Sequence, residues 1–240
     1  MSKILLEVCV DDLAGLEAAI EGGADRIELC SALALGGLTP SLGLMEVAGT
    51  FDIPCNAMIR PRAGDFVFSE EEIDVMLADI EAARNAGLAG VVLGASLPDG
   101  RLDRFALETL ASAAGGLDRT LHRAFDLVPH IPEAMEIAAK LGFARILTSG
   151  GARTAIEGRQ GLAEAIAAAK GRVSIMPGSG VSAENAHELL ILGVSELHAS
   201  CSSPAGAAGG KLLDFGFQAA AARRTDADKV RAFKAAISAK

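Results

Sequence analysis

Eight short aliphatic or β-branched runs recur along the 240-residue chain, and a longer segment of helical period follows each of them. Such alternation builds parallel sheet, because two parallel neighbours can be joined only by a crossover connection, usually a helix. The runs cover residues 4–9, 26–30, 55–60, 90–94, 119–124, 145–149, 173–176 and 196–200, with helical patterns such as 12–21, 70–86, 132–141 and 183–192 between them. Glycines at 22–23, 87, 142, 171 and 193 stand where these helices should stop in a left-handed cap. Eight such units in 240 residues predict a (β/α)8 TIM barrel, one domain over 1–240. An open doubly wound sheet is the rival, but it needs fewer strands. The GxGxxG turn that often opens it is missing after the first run, so no nucleotide cofactor is expected. The Ser-, Ala- and Gly-rich stretch 202–210 reads as a loose loop before a charged final helix around 227–239.

Charge and aromatic content exclude one class of partner. Acidic side chains outnumber basic ones by 31 to 22, and Trp and Tyr are absent, so neither a basic face for phosphates nor a broad stacking platform for bases is available. No apolar stretch is long enough to span a bilayer. The first run contains Glu7 and leads into Asp11 and Asp12, which suits a strand and not a secretory core. A cytoplasmic protein without membrane or nucleic-acid partners is expected. Four widely spaced cysteines, Cys9, Cys30, Cys55 and Cys201, fit free thiols in a reducing compartment.

Alternation turns these runs into geometry, since residues two apart on a strand share a face. Packing Leu6, Val8, Ile27, Leu29, Ala57, Ile59, Leu121, Leu147 and Leu197 against helices sends a polar set toward the barrel axis: Glu7, Glu28, Arg60, His122, Thr148 and His198, with Ser200 beyond. Barrel interiors are ordinarily filled by Val, Ile and Leu, so this set predicts a pocket at the C-terminal mouth. An ionic plug that only fixes register is the plain alternative.

The loops after the strands point to an anionic ligand. Arg60 and Arg62 could grip a carboxylate or phosphate, although Asp65 could equally occupy Arg62. Gly150 follows the sixth strand; Gly178 and Gly180 follow the seventh, where this fold often binds phosphate. Thr39, Pro40 and Ser41 read either as an anion-binding helix start or as a plain cap. His122, with Asp126 four residues on to orient it, is the stronger acid–base candidate; His198 is second. The same parity places Cys9 and Cys30 at adjacent strand ends, where two thiolates would select Cu(I), unless both are merely small buried apolar groups.

Several strings carry a family resemblance. Residues 24–31, then Gly36, Gly37, Leu38, Thr39, Pro40 and Ser41, together with Met58-Ile59-Arg60-Pro61-Arg62, His122-Arg123-Ala124-Phe125-Asp126, Leu147-Thr148-Ser149-Gly150-Gly151 and Met176-Pro177-Gly178, resemble the CutC family in order along nearly the whole chain. Its members are described as copper homeostasis proteins. The resemblance implies a cytoplasmic TIM barrel, a homodimer or homotetramer, with a role in copper handling through Cys30 and, by similarity of the opening strand, Cys9. Ser179 departs from the family's pattern, where a third glycine is usual. The competing expectation is a lyase, isomerase or hydrolase acting on a small anionic or phosphorylated metabolite, with Glu7, Glu28, His122 and His198 as acid–base groups and Arg60 orienting the substrate.

Overall fold

The computed structural model describes residues 3–206, 210–219 and 221–238. Eight parallel strands form the expected (β/α)8 barrel: β1 (Leu5–Val10), β2 (Arg26–Leu29), β3 (Cys55–Met58), β4 (Gly90–Leu93), β5 (Asp118–Leu121), β6 (Arg145–Thr148), β7 (Ser174–Pro177) and β8 (Glu196–Ala199). Hydrogen bonding runs in the order β7-β6-β5-β4-β3-β2-β1-β8, and β7 lies beside β8 to close the ring without a ladder among the described residues. The cause is local. The N–H groups of Ser174 and Gly178 bond toward β6, so alternation turns position 177 toward β8, and Pro177 has no N–H to offer there.

The helices start where the sequence supplies caps. Asp12 accepts from the Gly15 N–H at 2.6 Å to open α1 (Leu13–Gly22), and Ser41 caps the short α2 (Leu42–Ala48). A reciprocal Ser69/Glu72 capping box opens α3 (Glu70–Asn85), and Asp103 caps α4 (Arg104–Ala114). Around the remainder of the barrel lie α5 (Ile131–Lys140), α6 (Arg159–Ala169) and α7 (Ala186–Leu190), the last shorter than the predicted 183–192. Outward residues Leu6, Val8, Ile27, Leu29, Val91, Leu93 and Ile146 are fully buried against this helical layer.

After β8 the stretch predicted as a loose loop contains β9 (Ser202–Pro204), which pairs antiparallel with β10 (Arg223–Thr225). Residues 207–209 of that prediction lie outside the described residues. Between the two strands, α8 (Lys211–Asp214) carries exposed Leu212 and Leu213. The final helix α9 (Ala227–Ser238) packs on α1 and α7 and so fills the eighth helical position. Its close approach to α1 depends on Gly22, where any Cβ would overlap Val230. Ala239, the last residue of the predicted helix, is outside the described residues.

One parity assignment is corrected. Arg145 and Leu147 of β6 point toward the axis, and Ile146 and Thr148 point outward, the reverse of the expectation. Arg145 requires a buried anion, and Glu196 on β8 provides it at 3.1 Å.

Candidate functional site

Two tiers of polar residues fill the barrel. In the lower one, Glu7 stands directly opposite Arg26 on one neighbouring strand and His198 on the other. Arg26 bonds Glu7, reaches Glu196 at 2.5 Å and touches the Met176 sulfur at 3.3 Å. Arg145 extends the chain of charges from Glu196 to Asp118 at 2.5 Å and to the Thr120 hydroxyl at 3.0 Å. These direct ion pairs make the lower barrel a structural plug.

The upper tier is open. Cys9 pairs in register with Glu28, and His198 lies across the β1–β8 boundary from both. His198 Nδ1 is 2.9 Å from Glu7 Oε1, which leaves Nε2 facing Glu28 Oε2 at 3.7 Å. Ligand atoms of Cys9, Glu28 and His198 lie within 4.8 Å of one another, and all three residues are buried. Glu28 Oε1 has no hydrogen-bond partner. Burial disfavours charge on His198, but Glu28, Cys9 and Glu7 outweigh it and hold the imidazole well above its usual range. Burial raises Glu28, with His198 offsetting part of the rise and Glu7 adding to it. Burial would raise Glu7 as well, yet His198 and Arg26 draw it down to about 2.

These shifts fix a pH window. Glu7 is depressed, so its contribution to stability is complete above its ordinary 4.5 and is lost as pH falls toward 2. His198 is raised, so its contribution is complete below 6.5 and is lost as pH climbs through its folded value. Glu28 is raised as well, so its contribution is complete below 4.5 and fades above it; urea midpoints of the metal-free protein should therefore peak toward the acid end of the window from about 4.5 to 6.5, with Glu7→Gln flattening the acid limb. A midpoint that keeps rising to pH 9 would contradict the assignment.

A cavity of about 300 Å³ opens above this triad. Arg60, His122, Ser200 and Gly180 line it, as expected of the mouth, and Ser179 joins them; Leu33, Met58, Phe66, Leu147 and Val181 supply apolar wall. Other expected members sit elsewhere. Arg62 turns away to Asp65 and Glu72. Thr148 points outward and donates to Asp126 at 2.5 Å. Gly178 packs its Cα against Leu147 and His198.

Gly150 is a packing residue. At φ 73°, a Cβ there would overlap the Gly158 carbonyl oxygen, so Gly150→Ala should cost roughly 3 kcal/mol or more in a denaturation experiment, a loss under 1 kcal/mol being the contrary result.

His122 is also corrected. Asp126 does not orient it: a 3-10 turn, Arg123–Leu127, carries that carboxylate to Arg123, Thr148 and the Ser149 N–H. His122 Nδ1 instead accepts from the Ala124 N–H at 3.1 Å. Burial and the nearby Arg60 lower His122 to about 3, so it is a neutral ring with no carboxylate to pair with, and the imidazole set between two acids is His198.

Cys30, expected beside Cys9 at the mouth, lies off the cavity. Its sulfur lies 3.6 Å from Glu28 Oε2 and packs with Met58 and Val92. Burial and the Glu28 charge push its thiol well up.

Residues 4–203 match the family model described as the CutC family. The chain belongs to the CutC family. A CutC family protein of Sinorhizobium medicae is 60% identical over 240 residues, covering 100% of this chain and 98% of that one. One from Caulobacter vibrioides is 54% identical over 203 residues, 84% of this chain and 83% of its own. Among solved structures, a CutC from Streptococcus agalactiae, described as a candidate copper homeostasis protein, superposes with a TM-score of 0.78 at 34% identity, covering 82% of this chain and 98% of that one. A thiamine phosphate pyrophosphorylase from Pyrococcus furiosus, at 17% identity and TM-score 0.59 over 98% of this chain and 96% of its own, shares the fold alone. The CutC match ends just inside β9, so the excursion to β10 and α9 lie beyond it. No helix among the described residues is long and apolar enough to cross a membrane.

Proposed function

We propose that this CutC protein binds copper as Cu(I), taken as cargo at the barrel mouth by Cys9 and His198, with Glu28 as third ligand. The observation that carries the reading is the buried meeting of thiol, imidazole and carboxylate within 4.8 Å, backed by Glu7 on the far ring nitrogen. Glu7 at Nδ1–H orients the ring so that Nε2 faces the cluster, the usual support for a metal-bound histidine, and the incoming ion must displace the Nε2 proton that the surrounding acids favour in the metal-free protein. Sulfur and imidazole favour Cu(I) or Zn2+ over Mg2+, Ca2+ and Mn2+. The description of the Streptococcus agalactiae relative favours copper of the two. The adjoining cavity gives the ion a route in and out.

Anaerobic titration of metal-free protein with Cu(I) against a chromophoric chelator tests the reading, with Zn2+ in a parallel run. One tight equivalent of Cu(I), held more strongly than Zn2+, is expected. Weak binding that a thiol-blocked control reproduces would overturn it.

A further inference from the structure

The cavity wall carries a charge without a counter-ion. Arg60 is 6% exposed, and no carboxylate among the described residues lies within ion-pair distance of its guanidinium. Its N–H groups go to neutral acceptors: Nη1 to the Leu35 and Gly37 carbonyls at 3.0 and 3.2 Å, and Nη2 to the Gly64 carbonyl at 2.8 Å. Nε has no partner. A buried cation without a counter-ion is costly, and arginine cannot shed its proton to escape that cost.

His122 offers a matching group. Because its Nδ1 accepts from the Ala124 N–H, the ring proton of the neutral form resides on Nε2, which is buried and without a partner. Phe66 holds the two side chains side by side. Its ring lies 4.8 Å from the Arg60 guanidinium carbon and 4.7 Å from the His122 ring centre. Arg123, the other arginine on the cavity wall, is already neutralised by Asp126 at 2.7 Å.

We infer that the cavity binds a small organic monocarboxylate, its two oxygens taken by Arg60 Nε–H and His122 Nε2–H. One uncompensated positive charge and two unpartnered N–H donors, both covered by the cavity wall until the side chains turn toward a ligand, suit a carboxylate; a phosphate dianion would bring a second charge and more acceptors than the wall can satisfy. Met58, Leu33, Leu147 and Val181 then enclose a short carbon body, and about 300 Å³ is at the small end for ligand pockets, which run from roughly 300 to 1,000 Å³. The inference does not depend on copper, since Arg60 and His122 are outside the proposed ligand set.

The experiment uses metal-free protein kept in chelator, so that its outcome is separate from that of the Cu(I) titration. Acetate, propionate, pyruvate and lactate are titrated by calorimetry and by thermal shift, with propionamide, inorganic phosphate and sulfate as comparison arms. Saturable binding of at least one monocarboxylate is expected, with no response to propionamide and weaker responses to phosphate and sulfate.

His122→Phe keeps a ring against Phe66 and removes the donor, and it should weaken that binding about ten- to a hundredfold. Arg60→Lys keeps the charge and loses the Nε–H. Because Arg60 also ties three loop carbonyls, its variant is interpreted only where circular dichroism and melting match wild type, and the His122 variant decides otherwise. Wild-type protein that ignores all four carboxylates, binds propionamide as well as propionate, prefers phosphate, or binds equally after His122→Phe would overturn the inference.

Discussion

Cys9→Ala is expected to weaken Cu(I) binding at least about a hundredfold, whereas Cys30→Ala should leave it within a few-fold. Both cysteines follow an axial glutamate by two positions, and sequence alone makes them equivalent. The structure separates them. Cys9 lines the cavity and shares a 4.8 Å cluster with Glu28 and His198. The Cys30 sulfur is set among Met58, Val92 and Gly37, and deprotonating it beside Glu28 in an apolar setting is unfavourable. Metal must displace a proton from any thiol it binds, so a thiol pushed far up is a poor ligand. Chelator competition on the two variants measures the difference directly. Equal losses would mean that the two sulfurs act together and that His198 is not the partner of Cys9.

Arg26→Met is expected to cost about 3–5 kcal/mol, the range for removing one member of a buried ion pair. For a chain of this size that corresponds to a fall of roughly 6–20 °C in Tm. The arginine is 7% exposed and joins Glu7 to Glu196, so its loss leaves two buried carboxylates sharing too little positive charge. Methionine replaces the stem without the guanidinium, which confines the effect to charge and hydrogen bonding. Urea denaturation at pH 6 is the measurement. A loss below 1 kcal/mol would show that the lower tier is not the plug described above.

The fold was legible because eight repeats of one pattern admit few solutions, and alternation oriented β1, β2, β3, β5 and β8 as the structure has them. It failed on β6. There each face pairs one polar with one apolar residue, Arg145 with Leu147 and Ile146 with Thr148, so local pattern cannot choose. The choice is made by Glu196, 51 residues away and across the barrel. His122 and Asp126 failed differently. Four residues of separation suggest contact, but the intervening 3-10 turn carries the carboxylate to Thr148 and Ser149. Phe66 gave no periodic signal, because it lies in a loop whose position the chain reveals only when folded. Parity could not tell the two cysteines apart, because it assigns a face and not the height of each sulfur: Cys9 lines the cavity, whereas the Cys30 sulfur packs beneath Gly37.

The most direct test of the mouth site is X-ray absorption at the copper edge on protein loaded with one equivalent of Cu(I) under anaerobic conditions. One sulfur neighbour, from Cys9, together with nitrogen and oxygen scatterers that include an imidazole shell lost in His198→Ala, is the predicted result. Two sulfur neighbours, or a spectrum unchanged by His198→Ala, would contradict it.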